Sequence, residues 1–242
     1  MVKLPKSHPR YLSLKTRELL VNGVEEGITS KAGLIAHGRG EMFDYLIGEE
    51  TIEFAEKAER KAIAEMLEAE NPVISVNGNV AALVPSGIVS LADRLDAKLE
   101  VNLFHRTEER IEKIEKKLIK NGAKKVYGKR AGAKIPGLDH DRALCAEEGI
   151  FSADVVLIPL EDGDRAKALK DMGKKTITID LNPLSRTAKT ADITIVDNLV
   201  RAVPNMMKFE PMYDDLDNDK NLRNTLDHMY NRLKHLSQEV RP

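Results

Sequence analysis

One cysteine (Cys145), one glutamine (Gln238) and no tryptophan stand among the 242 residues of this chain. A lone cysteine excludes an intramolecular disulfide and points to a reducing compartment, so the cytoplasm is the expectation. Net charge is equally scarce. The 38 basic and 39 acidic side chains leave -1, which gives no footprint for nucleic acid or anionic lipid. No apolar run approaches the roughly 18 residues a membrane span requires, and the opening MVKLPKSHPRYL lacks the apolar stretch of a signal peptide. No membrane and no nucleic acid are therefore expected as partners. What the chain has in quantity is charge of both signs, 32% of its residues, which with the single glutamine suits a thermophile's surface.

Residues 13–70 have helical spacing. Ser13 is placed to cap a helix carrying Leu19, Leu20 and Val24, Ser30 to cap a second, and a longer helix is expected from about Glu50. From Pro72 the pattern alternates. Val73–Val76 reads as a strand, Pro85–Ala97 as a helix, Leu99–Phe104 as a strand, Glu108–Lys120 as a helix and Lys125–Tyr127 as a short strand. A loop through Ala131–Asp141 follows, too long to be mere punctuation. Val155–Leu160, Thr176–Leu181 and Ile193–Val196 then supply three more β-type runs. Six strands in two runs of three predict an α/β fold, a doubly wound parallel sheet with order 3-2-1-4-5-6. The expected organisation is an N-terminal helical cap region 1–70, a nucleotide-binding core 71–203 and a C-terminal helical segment 204–242. In that last segment Leu222, Leu226, Met229, Leu233 and Leu236 make a two-heptad seam, which packs on its own domain or on a second copy.

Several motifs fail on inspection. The turn after the first strand, Asn77-Gly78-Asn79, has one of the three glycines of a dinucleotide fingerprint, though it can still offer amide donors to an anion. Gly122–Lys129 lacks the glycine spacing and the Ser/Thr of a phosphate loop. Asp215–Leu226 lacks the Gly and Glu of a calcium loop, and Asp219 is left as a helix cap. Asp139-His140-Asp141 has no matching cluster, so a solvated loop is the better reading. Cys145 has no evident base partner and is read as a core residue.

In an open parallel sheet, ligands bind outside the carboxyl ends of the strands. Here those ends carry His105-Arg106, Glu161–Arg165, Asp180–Thr187 and Asp197-Asn198. Acidic residues at a helix start account for part of Glu161–Arg165 through the macrodipole. The set Asp180-Leu181-Asn182-Pro183, followed by Ser185-Arg186-Thr187, is harder to dismiss. It combines a carboxylate, an amide and a guanidinium, which together can hold a ribose, a base edge and phosphate oxygens. The N-terminal arm adds Lys3, Lys6, Arg10, Lys15, Arg17, Lys31 and Arg39 against three glutamates, with Arg39 set between two glycines. This is either a solvated face or a contact for a polyanion.

Taken together, Ser7–Tyr11, His37–Gly48, Pro72–Asn79 and Ala153–Asn198, with the strings LEDGDR and IDLNPLSRTA, resemble the archaeal 4-phosphopantoate–β-alanine ligase family, the phosphopantothenate synthetases. The likeness runs essentially from end to end. It implies a Rossmann-like core with a cap, a homodimer, and ATP with Mg²⁺ as cofactors. The implied reaction condenses 4-phosphopantoate with β-alanine to 4′-phosphopantothenate through an acyl adenylate, releasing AMP and pyrophosphate. The implied nucleotide contacts are Arg17, Arg39, Asp180, Leu181, Asn182, Arg186, Thr187, Asn198 and Leu199, with Arg39 and Arg186 as the catalytic cations. The substrate's own phosphate needs a second site, expected at Asn77, Gly78 and Asn79 and at His105 or Arg106. Two rival readings are a nicotinamide-dependent oxidoreductase, opposed by the missing glycines, and a nucleotide-binding regulatory protein.

Overall fold

The computed structural model describes residues 5–8 and 10–239; Lys3 and Pro9 lie outside them. Three helices come first: α1 (Tyr11–Glu25), α2 (Lys31–Ile47) and α3 (Glu53–Glu68). Ser30 caps α2 by accepting the Gly33 N–H at 3.2 Å. α1 starts ahead of Ser13, whose hydroxyl donates back to the Arg10 carbonyl and does not cap.

The sheet begins with β1 (Val73–Val76) and β2 (Lys98–Val101), joined through α4 (Gly78–Leu83) and α5 (Pro85–Arg94); α6 (Glu108–Lys120) leads to β3 (Val126–Tyr127). The long loop contains a small antiparallel pair, β4 (Ala133–Lys134) with β5 (Leu144–Cys145). The second half is β6 (Val155–Leu157), α7 (Gly163–Asp171), β7 (Lys175–Ile179), α8 (Arg186–Thr190), β8 (Ile193–Ile195) and α9 (Leu199–Met206). α10 (Asn218–Glu239) closes the chain, and its first turn is capped by Asp217, whose carboxylate accepts the Lys220 N–H, in place of the expected Asp219.

All six strands of the main sheet run parallel in the order β3-β2-β1-β6-β7-β8. Counted within the sheet, this is 3-2-1-4-5-6, the expected α/β arrangement. Strand side chains alternate between faces. Ile74, Val76, Val155 and Leu157 enter one core with α3–α6 and α9; Val73, Val156 and Ile158 enter another with α7 and the β4–β5 loop. A third, smaller core joins Ile47 of α2, Leu181, Ala188, Val196 and the first half of α10. β1 and β6 part company at the order reversal, the usual place for a crevice. Here Asn77 bridges it. Its amide nitrogen donates to the Pro159 and Leu160 carbonyls at 3.0 and 3.1 Å, while its Oδ1 caps α4 at the Val80 N–H.

Candidate active site

The exit of β7 is a self-supporting turn. One oxygen of Asp180 accepts the Asn182 N–H at 2.9 Å and the other accepts the Ser185 hydroxyl at 2.5 Å. Asn182 Oδ1 in turn accepts the Leu184 N–H, and Ser185 caps α8 at the Ala188 N–H. Burial pushes the Asp180 carboxyl up, while the Ser185 hydroxyl, the Asn182 N–H and the charge of Arg39 pull it down. Leu181 is buried in the small third core, so a ligand would meet its backbone. Arg186 is exposed and pairs with Asp164 of α7; Thr187 is buried and donates to the Glu161 carbonyl at 2.8 Å. Gly163 permits this approach, because a Cβ there would lie 2.4 Å from the Arg186 Cβ.

α2 runs across the exits of β7 and β8. Gly40 faces Leu181, with 3.8 Å between a Cβ built there and Leu181 Cδ1. One turn further along the helix, Asp44 is buried and takes three bonds: Asn198 Nδ2 at 2.8 Å, and Arg201 through Nη1 at 3.2 Å and Nη2 at 2.5 Å. Arg201 also grips Asp197, whose second oxygen accepts the Thr51 hydroxyl at 2.6 Å. Burial works against the charge of Arg201, yet these two carboxylates raise its pKa. Beneath them Glu59 is fully buried, and burial together with the Asp197 charge pushes it up to about 9. One turn earlier on α2, Glu41 holds Arg17 from α1, with Arg17 Nε 3.0 Å from both carboxylate oxygens. Arg17 also reaches the Tyr45 hydroxyl at 3.3 Å.

Between α1, α2 and the start of α9 lies a cavity of about 560 Å³, lined among others by Thr16, His37, Glu41, Asp44, Asn198 and Arg201. That is the size of a small-molecule site. Burial lowers the pKa of His37, with Arg17 adding to the effect, so the imidazole is neutral at pH 7. Arg17, Arg39, Asp180–Asn182 and Asn198 are thus gathered around one helix, and Leu199 follows as a buried first residue of α9. Arg186 and Thr187 flank this group on the β6 side.

His105 and Arg106 lie elsewhere. They follow β2, three strands from β7, or about 14 Å at the usual strand spacing. Arg106 is half-buried and donates to the Gly128 carbonyl. The Asn77–Asn79 turn faces α1 and α2: Thr29 donates to the Gly78 carbonyl at 3.1 Å and Asn79 to the Gly33 carbonyl at 3.0 Å. Cys145 is fully buried, and burial pushes its thiol up to about 11, as suits a core residue.

Residue patterns do not single out Asp44, Arg201 or Arg142, and they mark Asp197 and Arg165 only as members of strand-end clusters. Asp197 with Arg201 and Glu161 with Arg165 share an i,i+4 spacing that marks a helical ion pair. That spacing was the available signal.

The model of the phosphopantothenate/pantothenate synthetase family matches residues 54–241. The chain belongs to this family. A 4-phosphopantoate–β-alanine ligase of Thermococcus onnurineus is 55% identical over 251 residues, covering 98% of this chain and 96% of that protein. Its namesake in Thermococcus kodakarensis is 55% identical over 252 residues, covering 99% and 97%. The one in Methanosarcina mazei is 60% identical over 209 residues, covering 86% and 82%. For a phosphopantothenate synthetase, the oxidoreductase alternative has no support.

Proposed function

We propose that this protein condenses 4-phosphopantoate with β-alanine at the expense of ATP, forming 4′-phosphopantothenate for coenzyme A. The observation that carries this reading is family membership over most of the chain, supported by the gathering of Arg17, Arg39, Asp180–Asn182 and Asn198 around α2. A carboxylate does not react with an amine at neutral pH unless it is activated. The pantoate carboxylate oxygen attacks the α-phosphorus of ATP and pyrophosphate leaves, giving an acyl adenylate. The β-alanine nitrogen then bonds to the carbonyl carbon, the C–O bond to AMP breaks, and the amine gives up its protons.

Both steps develop negative charge on phosphate oxygens, which preorganised cations stabilise. Arg39 and Arg186 are exposed guanidinia at the strand ends and serve that role, with Arg17 held nearby by Glu41. Asp180 and Asn182 orient the ribose or base, Thr187 and the Leu181 and Leu199 backbones line the nucleotide, and Asn198 is fixed by Asp44 to meet it. Mg²⁺ is needed to neutralise the polyphosphate. No cluster of three or more ligating side chains occurs among the described residues, and both Asp180 oxygens already accept bonds. A Mg²⁺ arriving with ATP would be held mainly by phosphate oxygens and water, its common mode, and would supply that neutralising charge.

We also assign the protein to the cytoplasm and to a homodimer. Among the described residues no helix is long and apolar enough to cross a membrane. Leu222 and Met229 of the α10 seam are buried in the chain's own core, whereas Leu233 and Leu236 are exposed at 48% and 36%, leaving the outer half of the seam for a second copy. Sedimentation at micromolar concentration tests this, and a monomer there would remove it.

The deciding assay supplies 4-phosphopantoate, β-alanine and ATP·Mg²⁺ and follows nucleotide products. AMP with pyrophosphate is expected; ADP would indicate an acyl phosphate. Thermal stabilisation by ATP with no product from either substrate would point to a regulatory protein.

A further inference from the structure

Four arginines gather near the ends of β1, β2 and β6. Each has a buried guanidinium nitrogen with no hydrogen-bond partner among the described residues: Nη1 of Arg106, Nε of Arg110, Nε of Arg142, and both Nε and Nη2 of Arg165. Arg165 is fully buried and Arg142 is 6% exposed. The two share one counter-ion, each placing Nη1 on a different carboxylate oxygen of Glu161. Asp162 adds one contact to Arg142 at 3.1 Å, and Ser75 of β1 accepts from Arg165 at 3.1 Å. Burial lowers both guanidinia to about 10, with mutual repulsion adding to the effect at Arg142, so both are cations at neutral pH. Arg110 is close enough to act on Arg142 through its charge, and its Nη2 lies 3.1 Å from a Cβ built on Gly78.

Arg142 is brought to this place by the long loop after β3. Asn102, where β2 leaves the ladder, donates to the Arg142 and Leu144 carbonyls at 3.2 and 3.1 Å. His140 lays its ring against Phe104 and accepts the Arg142 N–H. A buried cation short of acceptors is unfavourable unless a ligand completes it. The group that suits several converging N–H donors is an anion with multiple terminal oxygens, and guanidinium forks match a phosphate.

We infer that Arg142 and Arg165, backed by Arg110, form the subsite for the phosphate monoester of 4-phosphopantoate. This rests on the reaction proposed above. It moves substrate recognition from the Asn77 side chain, which is consumed in bridging β1 to β6, and from His105, whose carbonyl accepts from Arg110. The subsite adjoins the nucleotide loop, because Glu161 faces Arg142 and Arg165 with its carboxylate and Thr187 with its carbonyl. The carboxylate to be activated is thereby kept on the ATP side of the phosphate.

The test compares 4-phosphopantoate with unphosphorylated pantoate in wild type and in Arg142→Lys, which keeps the charge and loses the fork. KM for 4-phosphopantoate should rise tenfold or more, as expected for lost charge-assisted bonds (about 1.4 kcal/mol per tenfold), while KM for ATP and for β-alanine, measured at saturating 4-phosphopantoate, stays. The preference for the phosphorylated substrate should fall by the same factor. Should Arg142→Lys not melt cooperatively, Arg110→Lys, at a half-buried position, is expected to show the same selective rise. An unchanged KM for 4-phosphopantoate in the folded variant overturns the subsite, as does an equal rise for pantoate or a rise in KM for ATP. If wild type itself fails to turn over 4-phosphopantoate, the reaction is overturned instead, so the two failures are distinct.

Discussion

At the β7–β8 end of the sheet the buried charges are paired and a cavity is open beside them; at the β1–β6 end the buried cations are short of acceptors. Asp44, Arg201 and Asp197 complete one another across α2, β8 and α9, and His37, Glu41 and Asn198 look into open volume. Around Arg142 and Arg165 the Glu161 carboxylate is shared between two guanidinia, Asp162 adds a single contact, and five nitrogens of four arginines are left over. The first region is organised before its ligand arrives. The second is completed by its ligand. Paired charges hold a shape without help, whereas unpaired ones store a demand for an anion.

The largest expected effect comes from breaking the paired region at its centre. Asp44→Ala takes one of the two carboxylates from Arg201 and releases Asn198, and should cost about 3 kcal/mol in urea unfolding together with a raised KM for ATP. A folded variant with unaltered ATP affinity would divorce this clamp from the nucleotide. Glu59, below the same clamp, tests how much strain the pairing conceals. Its carboxyl is held at about 9 in the fold, against 4.5 for a free glutamate side chain. A raised folded pKa means its contribution is intact below pH 4.5 and is lost progressively as pH climbs to 9. Glu59→Gln, neutral in both states, should therefore match wild type near pH 4 and exceed it by on the order of 3 kcal/mol at pH 7. Equal stability across that range would show Glu59 to be ionised in the fold.

At the β1–β6 end, Asn77→Ala removes a helix cap and leaves the Pro159 and Leu160 carbonyls without their donor, for a loss of about 2 kcal/mol in melting or denaturant titration. A loss of less than half that would mean the β1–β6 seam is held by something else. The smallest effect is the cleanest for chemistry. Arg39→Ala, at an exposed position, should leave stability nearly untouched and reduce turnover about tenfold, equivalent to about 1.4 kcal/mol of transition-state stabilisation. Unchanged turnover would take Arg39 out of the reaction.

The difference between the two regions also governs what could be read from sequence. α6 was found with its observed bounds because its apolar residues repeat at helical spacing, with Thr107 capping it. The sheet order followed from counting strand runs on either side of the long loop. The β4–β5 pair was invisible, since two-residue strands carry no periodicity. Glu161–Arg165 was only half understood. Asp162 caps α7 through the Arg165 N–H, as a helix-start reading allows, but burial of Glu161 also depends on Arg142, carried in by the long loop twenty positions before Asp162, a matter of tertiary packing and not of local pattern. The nucleotide-facing residues came from whole-string resemblance. Asp44 and Arg201, 157 positions apart, could be joined only by the fold.

Glu161 touches two neighbourhoods through one peptide unit: its carboxylate lies between Arg142 and Arg165, and its carbonyl holds Thr187. If an arriving phosphate competes for those guanidinia, the carboxylate shifts and the carbonyl with it. Occupancy on one side then carries a free-energy term on the other, and linkage makes that term symmetric. 4-Phosphopantoate and ATP should change each other's dissociation constants by one common factor, making a single backbone carbonyl the point at which two binding equilibria become one.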